Sequence, residues 1–156
     1  MPSSAELDRD VRLCVYRRLL ADGGAPTHER VAAELGIAVE EAEAAFRRLE
    51  AGRVLVLAPG TLGVWMANPL SAVPTEFRVE TPSGSHFGNC AWDAFGVIAM
   101  LGGEGTIFTH CPDCNEPLEF RVEGGELQPA EAVAHFAVPA RRWWENIGSA
   151  TTCVPG

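Results

Sequence analysis

Five cysteines, at positions 14, 90, 111, 114 and 153, and the carboxyl of Asp93 are the side chains of this sequence best suited to chemistry. In the stretch His86-Phe87-Gly88-Asn89-Cys90-Ala91-Trp92-Asp93-Ala94-Phe95, a thiol and a carboxyl stand three positions apart. If Asn89 caps a helix, Cys90 takes its first position and Asp93 lies one turn further along the same face. The positive end of a helix favours an anion, so a thiolate there has a lowered pKa and is a stronger nucleophile at neutral pH. Asp93 stands beside apolar Trp92 and Phe95, where a partly desolvated carboxyl has a raised pKa. Such a group can move a proton to or from the sulfur or a bound substrate. A plainer alternative uses the same residues: cysteine is among the most buried residue types, and an acid in a first helical turn complements the dipole without catalysis.

Cys111-Pro112-Asp113-Cys114 is half of a zinc site. A structural zinc takes four ligands, for which Cys90, Cys153, His110 and His86 are the candidates, and a second C-x-x-C is absent. A redox role is disfavoured because Pro112 follows a strand instead of opening a helix. His28 and His135 read as surface or core histidines, and Trp143-Trp144 as packing anchors or pocket walls. Gly102-Gly103-Glu104-Gly105 lacks the strand–loop–helix context of a nucleotide loop.

The elements that must position these groups fall into two parts. Residues 1–67 read as three helices and a hairpin. Ser3 or Ser4 caps the first, which carries Val11, Cys14, Val15 and Leu19 and stops at Gly23-Gly24. Thr27 caps Glu29–Leu35, ended by Gly36, and Val39–Glu50 follows with Ala42, Ala45, Phe46 and Leu49 on one stripe. Val54–Leu57 and Gly63–Met66 read as two strands, completing a winged-helix-like pattern. Residues 68–76 hold two prolines and read as a linker. Residues 77–156 read as an α+β layer: strands at Phe77–Val79, Thr106–His110, Pro117–Val122 and Ala132–Val138, a turn at Thr81–Ser85, and one main helix from Asn89 to about Leu101 packed on a small mixed or antiparallel sheet.

Composition narrows the chemistry further. The 156 residues carry 12 basic and 21 acidic side chains, a net charge of −9. Residues 1–70 hold eight arginines against ten acids, and the third helix opens Val39-Glu40-Glu41-Ala42-Glu43. That face repels phosphate, so nucleic acid is disfavoured as a partner and a structural or dimerising module is the simpler reading. Every basic residue is arginine, which excludes Schiff-base and lysine P-loop chemistry. No apolar run approaches the roughly 18 residues of a membrane span, and the N-terminus lacks a signal peptide's regions, so a cytoplasmic location is expected. In that reducing compartment an odd set of cysteines serves as thiols or ligands and not as a disulfide framework.

Asn89-Cys90-Ala91-Trp92-Asp93, followed by Thr109-His110-Cys111-Pro112, resembles the alkylmercury lyase (organomercurial lyase) family. The segment Val138-Pro139-Ala140-Arg141-Arg142-Trp143-Trp144-Glu145-Asn146-Ile147 before Cys153 is similar to the family's approach to its second mercury-binding cysteine. The resemblance implies that Cys90 and Cys153 bind mercury, that Asp93 transfers the proton, and that Cys111 is mainly structural. It implies protonolysis of a carbon–mercury bond with no cofactor, Hg(II) as product, and cellular thiols or a mercury-accepting protein as receivers. It also implies a winged-helix-like module over 1–67 and a lyase-like catalytic domain over 77–156, shortened at its C-terminus. Soft mercury prefers thiolate to oxygen or imidazole, in line with these assignments. The competing expectation is a non-enzymatic metal-binding or sensory protein on the same scaffold, using Cys111 and the added Cys114, with zinc as the candidate ion.

Overall fold

Val11, Cys14, Val15 and Leu19 recur at helical spacing and form the buried face of α1, Ser4–Asp22. The Ser3 hydroxyl accepts the Glu6 amide at 3.3 Å, and the Glu6 carboxylate accepts the Ser3 amide at 2.8 Å. Two donors that the first turn would otherwise leave unpaired are thereby satisfied. Gly23 ends the helix at φ 72°, the left-handed conformation that glycine adopts most cheaply. The Thr27 hydroxyl caps α2, His28–Leu35, by accepting the Arg30 amide at 3.3 Å. In α3, Val39–Ala51, the buried stripe is Ala42, Ala45, Phe46 and Leu49. Phe46 is wholly buried and contributes about 1.5–3 kcal/mol by leaving water.

The computed structural model describes residues 3–136, 138–147 and 153–155, with the backbone alone for His135 and for 153–155. The chain divides into two compact units, Met1–Val73 and Pro74–Gly156. In the first, ion pairs tie the helices at their rims: Arg48 grips Asp8 through two nitrogens, at 3.0 and 2.6 Å, and Arg18 reaches Glu34 at 2.6 Å. A hairpin follows, β1 (Val56–Leu57) against β2 (Val64–Ala67), closed by the Ala58 amide donating to Gly63 at 2.8 Å. The stretch expected as a linker carries a third short strand, β3 (Leu70–Ser71), antiparallel to β2.

In the second unit β4 (Phe77–Thr81) and β5 (Gly84–Gly88) form a hairpin that pairs Phe77 with Gly88 and Thr81 with Gly84. β6 (Gly105–His110) lines the other edge of β4, followed by β7 (Pro117–Glu123) and β8 (Glu126–Leu127). Each of these pairings among the described residues is antiparallel, so the sheet here is the antiparallel member of the two expected alternatives. The helix α4 (Ala91–Met100) lies on β5, β4 and β6 and buries Ala94, Val97 and Ile98. Two glycines permit that approach: a methyl on Gly88 would sit 2.6 Å from the Ala94 nitrogen, and one on Gly105 would sit 3.0 Å from the Ile98 Cγ1.

Three sequence expectations are corrected. β5 takes Gly84 and Ser85, read as part of a turn, and runs on to Gly88, because β4 takes a partner on that edge. The helix begins after Cys90, not after Asn89. The strand expected over 132–138 shortens to β9 (Ala134–Phe136), which pairs antiparallel with β10 (Cys153–Pro155) in a separate ladder. A 3-10 turn, Ala140–Glu145, lies between them in sequence.

Candidate functional site

The hairpin β4–β5 delivers the chain to α4 with little slack. The Thr75 hydroxyl donates to the Gly88 carbonyl at 2.6 Å and accepts the Phe77 amide at 3.2 Å, holding both ends of the hairpin together. Gly88 lets the chain turn directly beneath the helix. Cys90 then stands at the N-cap with extended backbone, φ −151°, and its Sγ accepts the Asp93 amide at 3.5 Å. Sulfur is a weak acceptor, and Ser, Thr, Asp and Asn are the usual caps. A thiol here is therefore an unusual choice for the helix and a useful one for chemistry.

Asn89, expected as the cap, does something else. Its Nδ2 donates to the Asp93 Oδ2 at 3.0 Å. Cys90 is only 5% exposed and Asn89 is likewise buried. Burial pushes the Asp93 carboxyl above the ordinary aspartate range, and the hydrogen bonds from Asn89 and Cys90 pull it back only in part. The direction agrees with the sequence argument, although Trp92 itself is 69% exposed. The result is a thiol, a carboxyl and an orienting amide gathered at the positive end of one helix.

Beside them lies an apolar cleft of about 220 Å³. Ala91 and Phe95 of α4 face Ile107, Leu118 and Phe120 of the sheet across it, with Phe77, Leu127 and residues 132–134 completing the walls. Thr109, His110 and Pro112 line it as well. Phe95 and Phe120 meet edge to face at 6.0 Å between ring centroids. A dry cavity of about 150 Å³ accommodates benzene, so this cleft is large enough for a small aryl or alkyl group. Sequence reasoning did not single out Phe77, Leu118 or Phe120. Their signal was present in the alternation of Leu118, Phe120 and Val122, which puts three apolar side chains on one face of β7.

The remaining candidates are placed as follows. Cys153 opens β10, its backbone opposite Phe136, one ladder step from the Val154–His135 pair and two from the Pro155–Ala134 pair. Ala134 is itself a cleft residue. Cys111 is half-buried and Cys114 exposed in the turn after β6, both as free thiols. Among the described residues no group of three or more His, Cys, Asp or Glu side chains could hold a metal ion. The zinc expectation therefore lacks its ligands there. Cys14 is wholly buried in the first unit, and burial raises its thiol pKa. His86 is 7% exposed, burial lowers its pKa, and its Nε2 has no hydrogen-bond partner among the described residues. Trp143 packs on Phe136 at 5.2 Å and donates to the Val138 carbonyl at 2.7 Å, so it anchors that segment and does not line the cleft. No helix of the described chain is long and apolar enough to cross a membrane.

A family model described as alkylmercury lyase matches residues 70–154, just over half of the chain. The crystal structure of the mercury-bound form of MerB2 is similar in fold, with a TM-score of 0.69 at 19% identity, covering 99% of this chain and 74% of that one. No curated protein sequence matches.

Proposed function

The chain belongs to the alkylmercury lyase family, and from that premise we propose that it cleaves carbon–mercury bonds by protonolysis with Cys90, Cys153 and Asp93. The observation that carries the reading is the buried Cys90 beside the half-buried Asp93 at the start of α4, with Asn89 orienting the carboxyl. An organomercury cation, R–Hg⁺, binds first to one cysteine sulfur and then to the second; of the two displaced thiol protons one leaves to solvent and the other passes to Asp93. Two sulfur donors raise electron density on mercury and polarise the bond to carbon. Asp93, whose burial favours the protonated form, then returns a proton to the carbon. R–H leaves, and Hg(II) stays on the two sulfurs. No electrons are exchanged with an outside partner, and no further cofactor is required.

Three features support the roles. A carboxyl with a raised pKa is suited to holding a proton until the carbon departs. The apolar cleft beside Ala91 suits the organic group of the substrate. The β9–β10 ladder links the backbone of Cys153 to a strand whose Ala134 lines that cleft. The test is incubation of the full chain with methylmercury or phenylmercury and excess thiol, following methane or benzene and free Hg(II). We expect steady hydrocarbon release that Cys90→Ser abolishes; no turnover by the intact chain, or unchanged turnover in Cys90→Ser, would sink the reading.

A further inference from the structure

The turn between β6 and β7 is built around a sulfur. The Cys111 amide donates to the Glu116 carbonyl at 2.8 Å, continuing the ladder, and the Asn115 amide donates to the Cys111 carbonyl at 2.8 Å, closing the loop. Asn115 stands at φ 59°, a left-handed conformation that asparagine tolerates better than most residues. Pro112, with its fixed φ, starts the loop. The closed turn thus carries Cys111 and Cys114 three positions apart, the first half-buried and the second exposed, both as free thiols. The Cys114 and Asp113 amides, with the Cys114 thiol, hold Cys111 below the ordinary thiol pKa. The Glu116 amide alone would lower Cys114, but its hydrogen bond to Cys111, burial and the charge on Cys111 together raise it.

We propose that Cys111 and Cys114 form a second thiol site, a two-sulfur chelate beside the apolar cleft that takes mercury(II). The backbone bonds that close the turn hold the two cysteines three positions apart in one loop, and Pro112 between them lines the cleft. Coordination number selects the ion. Zinc takes four ligands, and among the described residues no third donor joins the pair. A soft ion content with two thiolates needs nothing more. Loading is a ligand exchange: a mercury bis-thiolate gives its ion to the two cysteines, two Hg–S bonds form as two break, and two small thiols leave with the cysteine protons. The choice of mercury rests on the carbon–mercury reading above, whereas the chelate itself does not.

The test uses the full-length chain carrying Cys90→Ser and Cys153→Ser, so that the proposed lyase thiols are gone. Mercury(II) is supplied as its complex with a monothiol. We expect one ion per chain to be retained through gel filtration, with Cys111 and Cys114 protected from iodoacetamide in peptide mass spectra. Adding Cys114→Ser, at an exposed position and with an unchanged circular dichroism spectrum as the control for folding, should weaken retention by about 100-fold, the gain expected from tethering two donors. Equal retention in that variant, equal alkylation of both cysteines with and without mercury, or zinc displacing mercury from the pair overturns the proposal. Retention in this background alongside an intact chain that fails to release hydrocarbon would remove the lyase reading and leave the chelate standing.

Discussion

Asp93 is held between burial, which favours its proton, and the hydrogen bonds of Asn89 and Cys90, which favour its charge. The folded pKa lies above the unfolded value, so its contribution to stability is fully present below the ordinary aspartate range and is lost as pH rises through the raised value. Asp93→Asn should therefore unfold at a higher temperature than the parent at neutral pH, the gap closing as the pH is taken down through the Asp93 pKa; calorimetry across pH 3–7.5 measures it. The same change removes the proton carrier, and hydrocarbon release should fall by about 100-fold or more. Asn89→Ala removes one interaction that lowers the pKa, so the acid limb of the pH–rate profile should move to higher pH while mercury binding stays near the parent's. That Cys90 and Asp93 would meet at the start of a helix was legible from residue type and spacing. Asn89 was misassigned, because local rules favour asparagine as a cap over cysteine, and only the tertiary position of the Asp93 carboxyl shows that the amide serves it instead.

α4 reaches its position because β5 ends in a residue without a side chain. Gly88→Ala would put a methyl 2.6 Å from the Ala94 nitrogen, which a helix backbone cannot absorb without moving. Overpacking of this kind costs about 1–3 kcal/mol or more, and here it would also displace Cys90 and Asp93 together. Thermal unfolding and hydrocarbon release should both suffer, unlike in Asp93→Asn, where they part. The helices of the first unit could be read closely because their caps and stops are chemically explicit in Ser3, Thr27, Gly23 and Gly36. β6 and β7 were also legible from their alternation. β5 was not: Gly84-Ser85-His86-Phe87-Gly88 carries turn residues at both ends, and what makes it a strand is the open edge of β4 and the space the helix needs. β10 is too short to show any period.

Across the whole chain the net charge of −9 and the exposed Glu40 and Glu41 at the start of α3 argue against phosphate partners. Fluorescence anisotropy with duplex DNA at about 150 mM salt should show no binding, and a micromolar Kd there would contradict the charge argument. The α+β architecture and the three-helix start were readable, whereas the cleft was not, since its walls come from α4, β4, β6, β7 and residues 132–134, segments far apart in sequence. Because one sulfur both closes the first turn of α4 and is offered to the ion, loading and local order compete for the same lone-pair density. Mercury on Cys90 should slow amide hydrogen exchange at Val97 and Ile98 by stabilising the fold while quickening it at Asp93, so that a single backbone proton reports occupancy with the opposite sign to the core beneath it.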